Sequence, residues 1–216
     1  MNNFVITIGR SYGSGGRTMG KLLAQELGID CYDMELIKLA SEESGISESL
    51  FGESDEKVPG NSFFRIFKGG YSGKIAPPSS SDFTSPENLF NYQAKVIKQL
   101  AETTSCIIIG RCADFILKDY DNVIRLYFYA PMDCCIKRTK ELYGMSEEEI
   151  IKKIQKTDKE RAFYYEYYTG RKWNDASNYD MCLNTESMSY ETCIAMVKAY
   201  LNICRKDIKV DTEKED

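Results

Sequence analysis

One junction near the start of the chain constrains its fold more than any other feature. The apolar run Phe4-Val5-Ile6-Thr7-Ile8 meets a glycine-dense turn, Gly9 to Thr18, which opens into the helical pattern Met19 to Gly28. A strand that enters a Gly-rich turn and leaves as a helix holds phosphate on its backbone N–H groups. Glycine lets the backbone approach an anion closely, and the helix N-terminus adds partial positive charge. Gly13, Ser14, Gly15, Gly16, Arg17 and Thr18 are therefore read as a phosphate cradle. The plain alternative is a βα turn that holds no ligand. In a standard phosphate-binding loop a lysine follows the last tight glycine. Here Gly16 stands in that place, Arg17 comes next, Thr18 takes the magnesium-ligand position and Arg10 the position of the usual first glycine.

Length and charge bound the rest. A chain of 216 residues suits one α/β domain with insertions and a real core. Its formal net charge of −5 predicts no general attraction to nucleic acid or to anionic membrane. The Met1-Asn2-Asn3 start has no basic, then apolar, leader pattern, and no apolar run reaches the length of a membrane span, so a cytoplasmic protein is expected. None of the eight cysteines forms a C-x-x-C pair, and most lie in apolar strand or helix contexts, which predicts core thiols. Histidine is absent altogether. That removes Ser-His-Asp and Cys-His catalysis, histidine metal ligands and a histidine base. Arginine, lysine, carboxylates, backbone amides and a metal ion remain, an inventory that suits phosphoryl transfer.

Strands and helices alternate along the chain. Strands are expected at 4–8, 29–32, 106–109, 123–129 and 180–184, and helices at 15–28, 34–45, 86–102, after Pro131, from 147 to Gly170, and at 190–204. Ser85-Pro86-Glu87 reads as an N-cap followed by proline at the first helical position. Ser146-Glu147-Glu148-Glu149 reads as a capping box, with Met145 and Ile150 as its staple. Residues 52–85, polar and rich in Gly, Pro and Ser, are expected to be mobile. Alternation of this kind predicts a parallel sheet with helices on both faces and a crevice at the carboxyl ends of the strands. The loop Arg10–Thr18, Asp33 and Gly110-Arg111 all fall there.

With these blocks in place the chain resembles the P-loop nucleoside monophosphate kinases, most closely the cytidylate kinase-like family. The resemblance rests on Gly13-Ser14-Gly15-Gly16, Cys31-Tyr32-Asp33, Gly110-Arg111-Cys112-Ala113-Asp114, Lys156-Thr157-Asp158-Lys159-Glu160-Arg161-Ala162, and Asn178-Tyr179-Asp180-Met181-Cys182-Leu183-Asn184-Thr185. It implies a P-loop NTPase-type α/β fold with a five-stranded parallel sheet, all in one domain over 1–216. An NMP-binding insertion is mapped to 34–103 and a lid to 145–178. It also implies ATP as donor, Mg2+ as cofactor and a small-molecule acceptor, CMP or dCMP, with no nucleic-acid or membrane partner. Two other readings stand beside it: a P-loop kinase for another small acceptor, and a nucleotide-binding regulator with little turnover.

By resemblance, Gly13–Thr18 cradles the donor phosphates, Thr18 helps hold magnesium, and Asp33 and Arg111 serve the acceptor. Arg138, Asp158 and Arg161 surround the transferring phosphoryl group from the lid side. A guanidinium suits Arg111's task because its fork can make two charge-assisted hydrogen bonds to one phosphate. For Arg111 the structural alternative is a pair with Asp114, and for Asp158 and Arg161 a surface salt bridge. With Gly16 in the lysine position, Arg17 or Arg10 is expected to supply the missing charge. The strand before Arg111 also lacks an acidic residue ahead of Gly110. Phe163, Tyr164, Tyr165, Tyr167, Tyr168 and Trp173 are read as lid packing with exposed hydroxyl edges, and Phe63–Lys68 as a cover for the acceptor or an interface patch. Closure is expected from two mobile pieces, 52–85 and 145–178, with Arg161 turned toward solvent or far from the Gly13–Thr18 loop before ligands arrive.

Overall fold

A computed structural model describes residues 3–56 and 71–204. Five strands, β1 (Val5–Arg10), β2 (Asp30–Tyr32), β3 (Cys106–Ile109), β4 (Val123–Tyr129) and β5 (Met181–Asn184), form one all-parallel sheet in the order β2-β3-β1-β4-β5. The central strands read as nearly continuous apolar runs because helices cover both faces. Alternate residues divide between two cores. Val5, Cys106 and Ile108 face one layer, and Ile6, Ile8, Ile107 and Ile109 face the other.

The second layer is made by α1 (Gly16–Leu27) and α8 (Tyr190–Cys204). Against the first pack α2 (Glu35–Ser44), α3 (Glu48–Ser54), α4 (Pro86–Thr103), the short α5 (Ala113–Ile116) and the C-terminal half of α7 (Glu147–Thr169). Between β4 and α7 lies α6 (Met132–Tyr143). The local signals act as read. Ser85 accepts a hydrogen bond from the Asn88 amide with Pro86 in the first turn, and the Ser146–Glu149 capping box is complete. Helix α7 ends at Gly170 in the left-handed conformation.

Three features differ from expectation. Helix α3 replaces the start of the polar stretch, held by Phe51, which is fully buried. The later part of that stretch, 71–85, is tied to α4 by two buried asparagines. Asn88 accepts from the Ala76 amide at 2.7 Å and donates to the Phe83 carbonyl at 2.7 Å, while Asn91 donates to the Lys74 carbonyl at 2.7 Å. Residues 57–70, including the Phe63–Lys68 patch, lie outside the described residues.

The third difference is in α7. Tyr164, Tyr165, Tyr167 and Tyr168 are all buried. Phe90 of α4 stacks on Tyr168 with ring centroids 3.9 Å apart and planes within 3°. The hydroxyls are not exposed edges: Tyr165 donates to Asp114, Tyr167 to Glu87 and Tyr168 to the Pro86 carbonyl. The Tyr71 amide also donates to the Tyr168 carbonyl at 3.1 Å. The segments read as insertion and lid therefore share one aromatic core where two separate moving pieces were expected. Replacing the buried Phe90 by Ala should cost about 3–5 kcal/mol, because stacked rings on both elements lose their partner. Denaturant unfolding followed by tyrosine fluorescence checks this; a loss under about 1 kcal/mol would remove the shared core as a source of stability.

Candidate phosphate-binding site

The loop between β1 and α1 forms the floor of a cleft of about 320 Å³ at the carboxyl ends of the strands. Ser14 is fully buried, its hydroxyl donating to the Ser11 carbonyl at 2.8 Å and thereby closing the turn. Gly13 and Gly15 both have positive φ, 76° and 83°. A Cβ at Gly13 would lie 2.9 Å from the Cys135 carbonyl oxygen of α6. Within the described residues, no hydrogen bond uses the Gly13, Gly15, Arg17 or Thr18 amide. Four donors therefore stand at the mouth of α1, where the helix dipole favours an anion.

Gly16 has a steric explanation. A Cβ there would fall 2.6 Å from the Cβ of Arg10 and 3.2 Å from that of Phe128. These are root atoms of side chains and cannot swing aside. A lysine cannot occupy position 16 while Arg10 occupies the end of β1. Arg10 is itself buried and points into the cleft, whereas the Arg17 side chain is 59 % exposed and pairs with Asp33 at 2.5 Å.

Three guanidinium groups converge beside the loop, each met by a carboxylate. Arg10 forms a fork with Glu56, with N–O distances of 2.5 and 3.1 Å. Arg161 donates from Nε to the same carboxylate at 3.0 Å and from Nη1 to the Arg10 carbonyl at 3.4 Å. Arg111 grips Asp55 through two 3.0 Å bonds and lies 3.5 Å from Asp33. Burial alone would raise the Glu56 carboxyl, but Arg10 and then Arg161 hold it well below the usual carboxylate range. For Asp55 and Asp158 burial prevails and pushes the carboxyls up. Burial and the neighbouring Arg10 lower the pKa of Arg161.

Gly110, Arg111 and Cys112 form three consecutive left-handed residues, with φ of 75°, 53° and 56°. For Arg111 and Cys112 this costs on the order of 1–2 kcal/mol each, and it fixes the arginine at the carboxyl end of β3. The structural alternative, an Arg111–Asp114 pair, is not formed: Asp114 accepts from Tyr165 and Arg111 takes Asp33 and Asp55. Asp158 accepts from the Tyr12 amide at 2.8 Å and lies 3.8 Å from Arg161, so α7 and the loop are joined directly. Arg161 is only 15 % exposed and packed against the loop, contrary to the expected solvent-facing orientation.

Arg138 stands on α6, outside the 145–178 segment, where it lines the cleft and braces the loop. It donates to the Ser14 carbonyl at 3.0 Å and to both oxygens of Thr185, whose hydroxyl donates to the Ser14 carbonyl at 2.7 Å. Thr18 lies exposed in the first turn of α1, lining the cleft. No group of three or more His, Cys, Asp or Glu side chains able to hold a metal is found among the described residues. The described cysteines are free thiols, and burial pushes Cys31 and Cys135 up to about 11 and Cys106 to about 12. Sequence reasoning missed Asp55, Glu56 and Thr185; the first two lie beyond the alternating pattern and are linked to their arginines only through the fold.

The sequence profile of the cytidylate kinase-like family matches residues 5–187. The chain belongs to the cytidylate kinase-like family. It is 25 % identical over 202 residues to the cytidylate kinase of Pyrococcus horikoshii, covering 93 % of this chain and 90 % of that one. An uncharacterized protein from Eubacterium ventriosum has a solved structure with TM-score 0.69 and 26 % identity, covering 93 % of this chain and 99 % of that one. Shikimate kinase from Bacteroides thetaiotaomicron shares the fold at TM-score 0.52 and 14 % identity, covering 93 % of this chain and 99 % of that one. Among the described residues no helix is long and apolar enough to cross a membrane.

In this family member, residues 10 and 16 are sterically coupled, and that can be measured. Gly16→Ala should destabilise by about 1–3 kcal/mol through overpacking, although Ala is the better helix former. In an Arg10→Gly background the same change should be neutral or favourable. Double-mutant unfolding free energies check it; additive effects would show that the two sites do not touch.

Proposed function

We propose that this protein is an ATP-dependent nucleoside monophosphate kinase whose acceptor is CMP or dCMP. The phosphate oxygen of the acceptor attacks the γ-phosphorus of ATP, the bond to the β,γ-bridging oxygen breaks, and ADP leaves. Such a reaction asks little covalent chemistry of the protein and much positioning and charge stabilisation. One observation carries the reading: Arg10 and Arg161 line the cleft beside four loop amides that no described residue uses, and Arg111 adjoins it through Asp33 and Asp55. The family match and the relatives named cytidylate kinase support the substrate class.

The roles follow from position. The Gly13–Thr18 amides bind the donor phosphates. Arg10 takes the part of the absent loop lysine, since it fills the space that a side chain at 16 would need. Arg111, rigid on its left-handed turn, holds the acceptor phosphate. Arg161 bridges the two. Asp158, through the Tyr12 amide, and Arg138, through the Ser14 carbonyl, keep the loop in shape. The Thr18 hydroxyl and the cleft carboxylate Asp33 offer hard oxygen donors of the kind Mg2+ takes when it keeps waters and phosphate oxygens as its other ligands. When bound, that ion would neutralise phosphate charge.

A coupled ADP-release assay with ATP and Mg2+ across CMP, dCMP, UMP, AMP and small alcohols tests the reading. Turnover should be highest with CMP or dCMP. Arg10→Ala should lower kcat at least about tenfold, with Arg17→Ala much milder. Turnover with a small alcohol alone, or none with any acceptor, would overturn the proposal.

A further inference from the structure

The loop and its arginines are already neutralised from within. Asp55 and Glu56 follow the last turn of α3 and reach the cleft as a consecutive pair of carboxylates. Each is held in the manner in which an arginine holds phosphate: Arg111 forks onto Asp55, Arg10 forks onto Glu56, and Arg161 adds a third bond. Fork geometry of this kind is shared by carboxylate and phosphate, and both compete for the same guanidinium edge.

Two further observations show that the arrangement is built and not incidental. Glu56 has a left-handed backbone, with φ of 50°, although it is not glycine. A β-carbon at Gly110 would run into the Glu56 carboxylate oxygen and the Arg10 Nη1, so the ion pair as placed lies directly against the bare backbone of position 110. The Arg10 and Glu56 side chains are only 8 % and 16 % exposed.

We propose that Asp55 and Glu56 are an internal carboxylate plug that occupies the phosphate positions of the cleft and must be displaced by the phosphate groups of the ligands. This rests on the reading of the cleft as a phosphate site. The ligand class is a phosphate monoester or a di- or triphosphate anion carrying at least two negative charges, since it must replace two carboxylates across three arginines. The plug discriminates by charge. An uncharged acceptor, or a monoanion, cannot release the arginines from their internal partners. It also links occupancy to α3, because α3 must shift when its terminal carboxylates leave.

The plug makes affinity depend on how often the carboxylates are away. If the open form is a minor state, apparent affinity falls by its population, and removing the plug restores it. Glu56→Gln is nearly isosteric and keeps a polar side chain, and Asp55→Asn does the same at the neighbouring position. The probes are inorganic phosphate and pyrophosphate, read by titration calorimetry and by thermal shift, with ATP and CMP as reference ligands for the wild-type protein. Glu56→Gln should bind pyrophosphate at least about tenfold more tightly than wild type. Its melting temperature should fall in phosphate-free buffer, where Arg10 and Arg161 face each other without an anion, and be restored by pyrophosphate. Asp55→Asn should show the same pattern for phosphate, so that one poorly folding variant does not decide the question.

A merely structural ion pair gives a different result: the variants melt lower, pyrophosphate does not restore them, and affinity does not rise. That outcome, or weaker binding in both variants, overturns the plug while leaving the phosphate site standing, provided wild type binds ATP. Wild type that binds neither ATP, CMP nor pyrophosphate would overturn the phosphate site itself, and the plug with it.

Discussion

Three guanidinium groups, Arg10, Arg111 and Arg161, line one small pocket that shares Arg10, Glu56 and Arg161 with the cleft, and the placement of α3 follows from that. Gathering like charges away from water costs on the order of several kcal/mol per ion unless counter-charges come with them. The fold brings those counter-charges from far along the chain. Glu56 is 46 residues from Arg10 and 105 from Arg161, and Asp55 is 56 from Arg111. Helix α3 thus has two anchors, Phe51 in the apolar core and a pair of carboxylates in the cleft. A seven-residue helix would not persist alone.

The architecture could be read from the chain because its signals are local. Apolar strands, the glycines at 28, 45, 144 and 170 that follow helices, the Ser85 cap and the Ser146–Glu149 box each act over a few residues. The β1–α1 turn was legible for the same reason. What was not legible depends on pairings between distant segments. Nothing near Asp55 and Glu56 marks them as partners of arginines, and α3 contains Gly52 and a single buried anchor, so its pattern is too short to read. The left-handed backbone at Arg111 and Cys112 runs against residue preference and is imposed by the surrounding fold. Arg138 was placed on the lid side of the transferring phosphoryl group, yet its bonds go to the Ser14 carbonyl and to both oxygens of Thr185.

The tyrosines of α7 show how one composition can mislead about motion. Aromatic, hydroxyl-bearing residues suggested an amphipathic lid with wet edges. In the fold every one of the three hydroxyls from Tyr165, Tyr167 and Tyr168 has a protein acceptor, and the rings interleave with Phe90 and Tyr71. Segments 71–85, α4 and the C-terminal half of α7 therefore form one packed body. The N-terminal half of α7 instead meets α6 and the loop through Ile150, Ile154 and Asp158. One long helix thus packs into that body at one end and touches the phosphate loop at the other.

The left-handed turn at Gly110–Cys112 has a consequence for ligand affinity. Arginine has one of the largest side-chain conformational entropies, and ordering such a chain at a binding site typically costs about 0.5–1.5 kcal/mol. Arg111 is 2 % exposed and already bonded through its Nε, Nη1 and Nη2. Its freedom is lost when the chain folds, not when a ligand arrives. An anion that reaches it exchanges partners on an immobile group, so binding there selects for shape and charge with almost no entropic contribution from the protein.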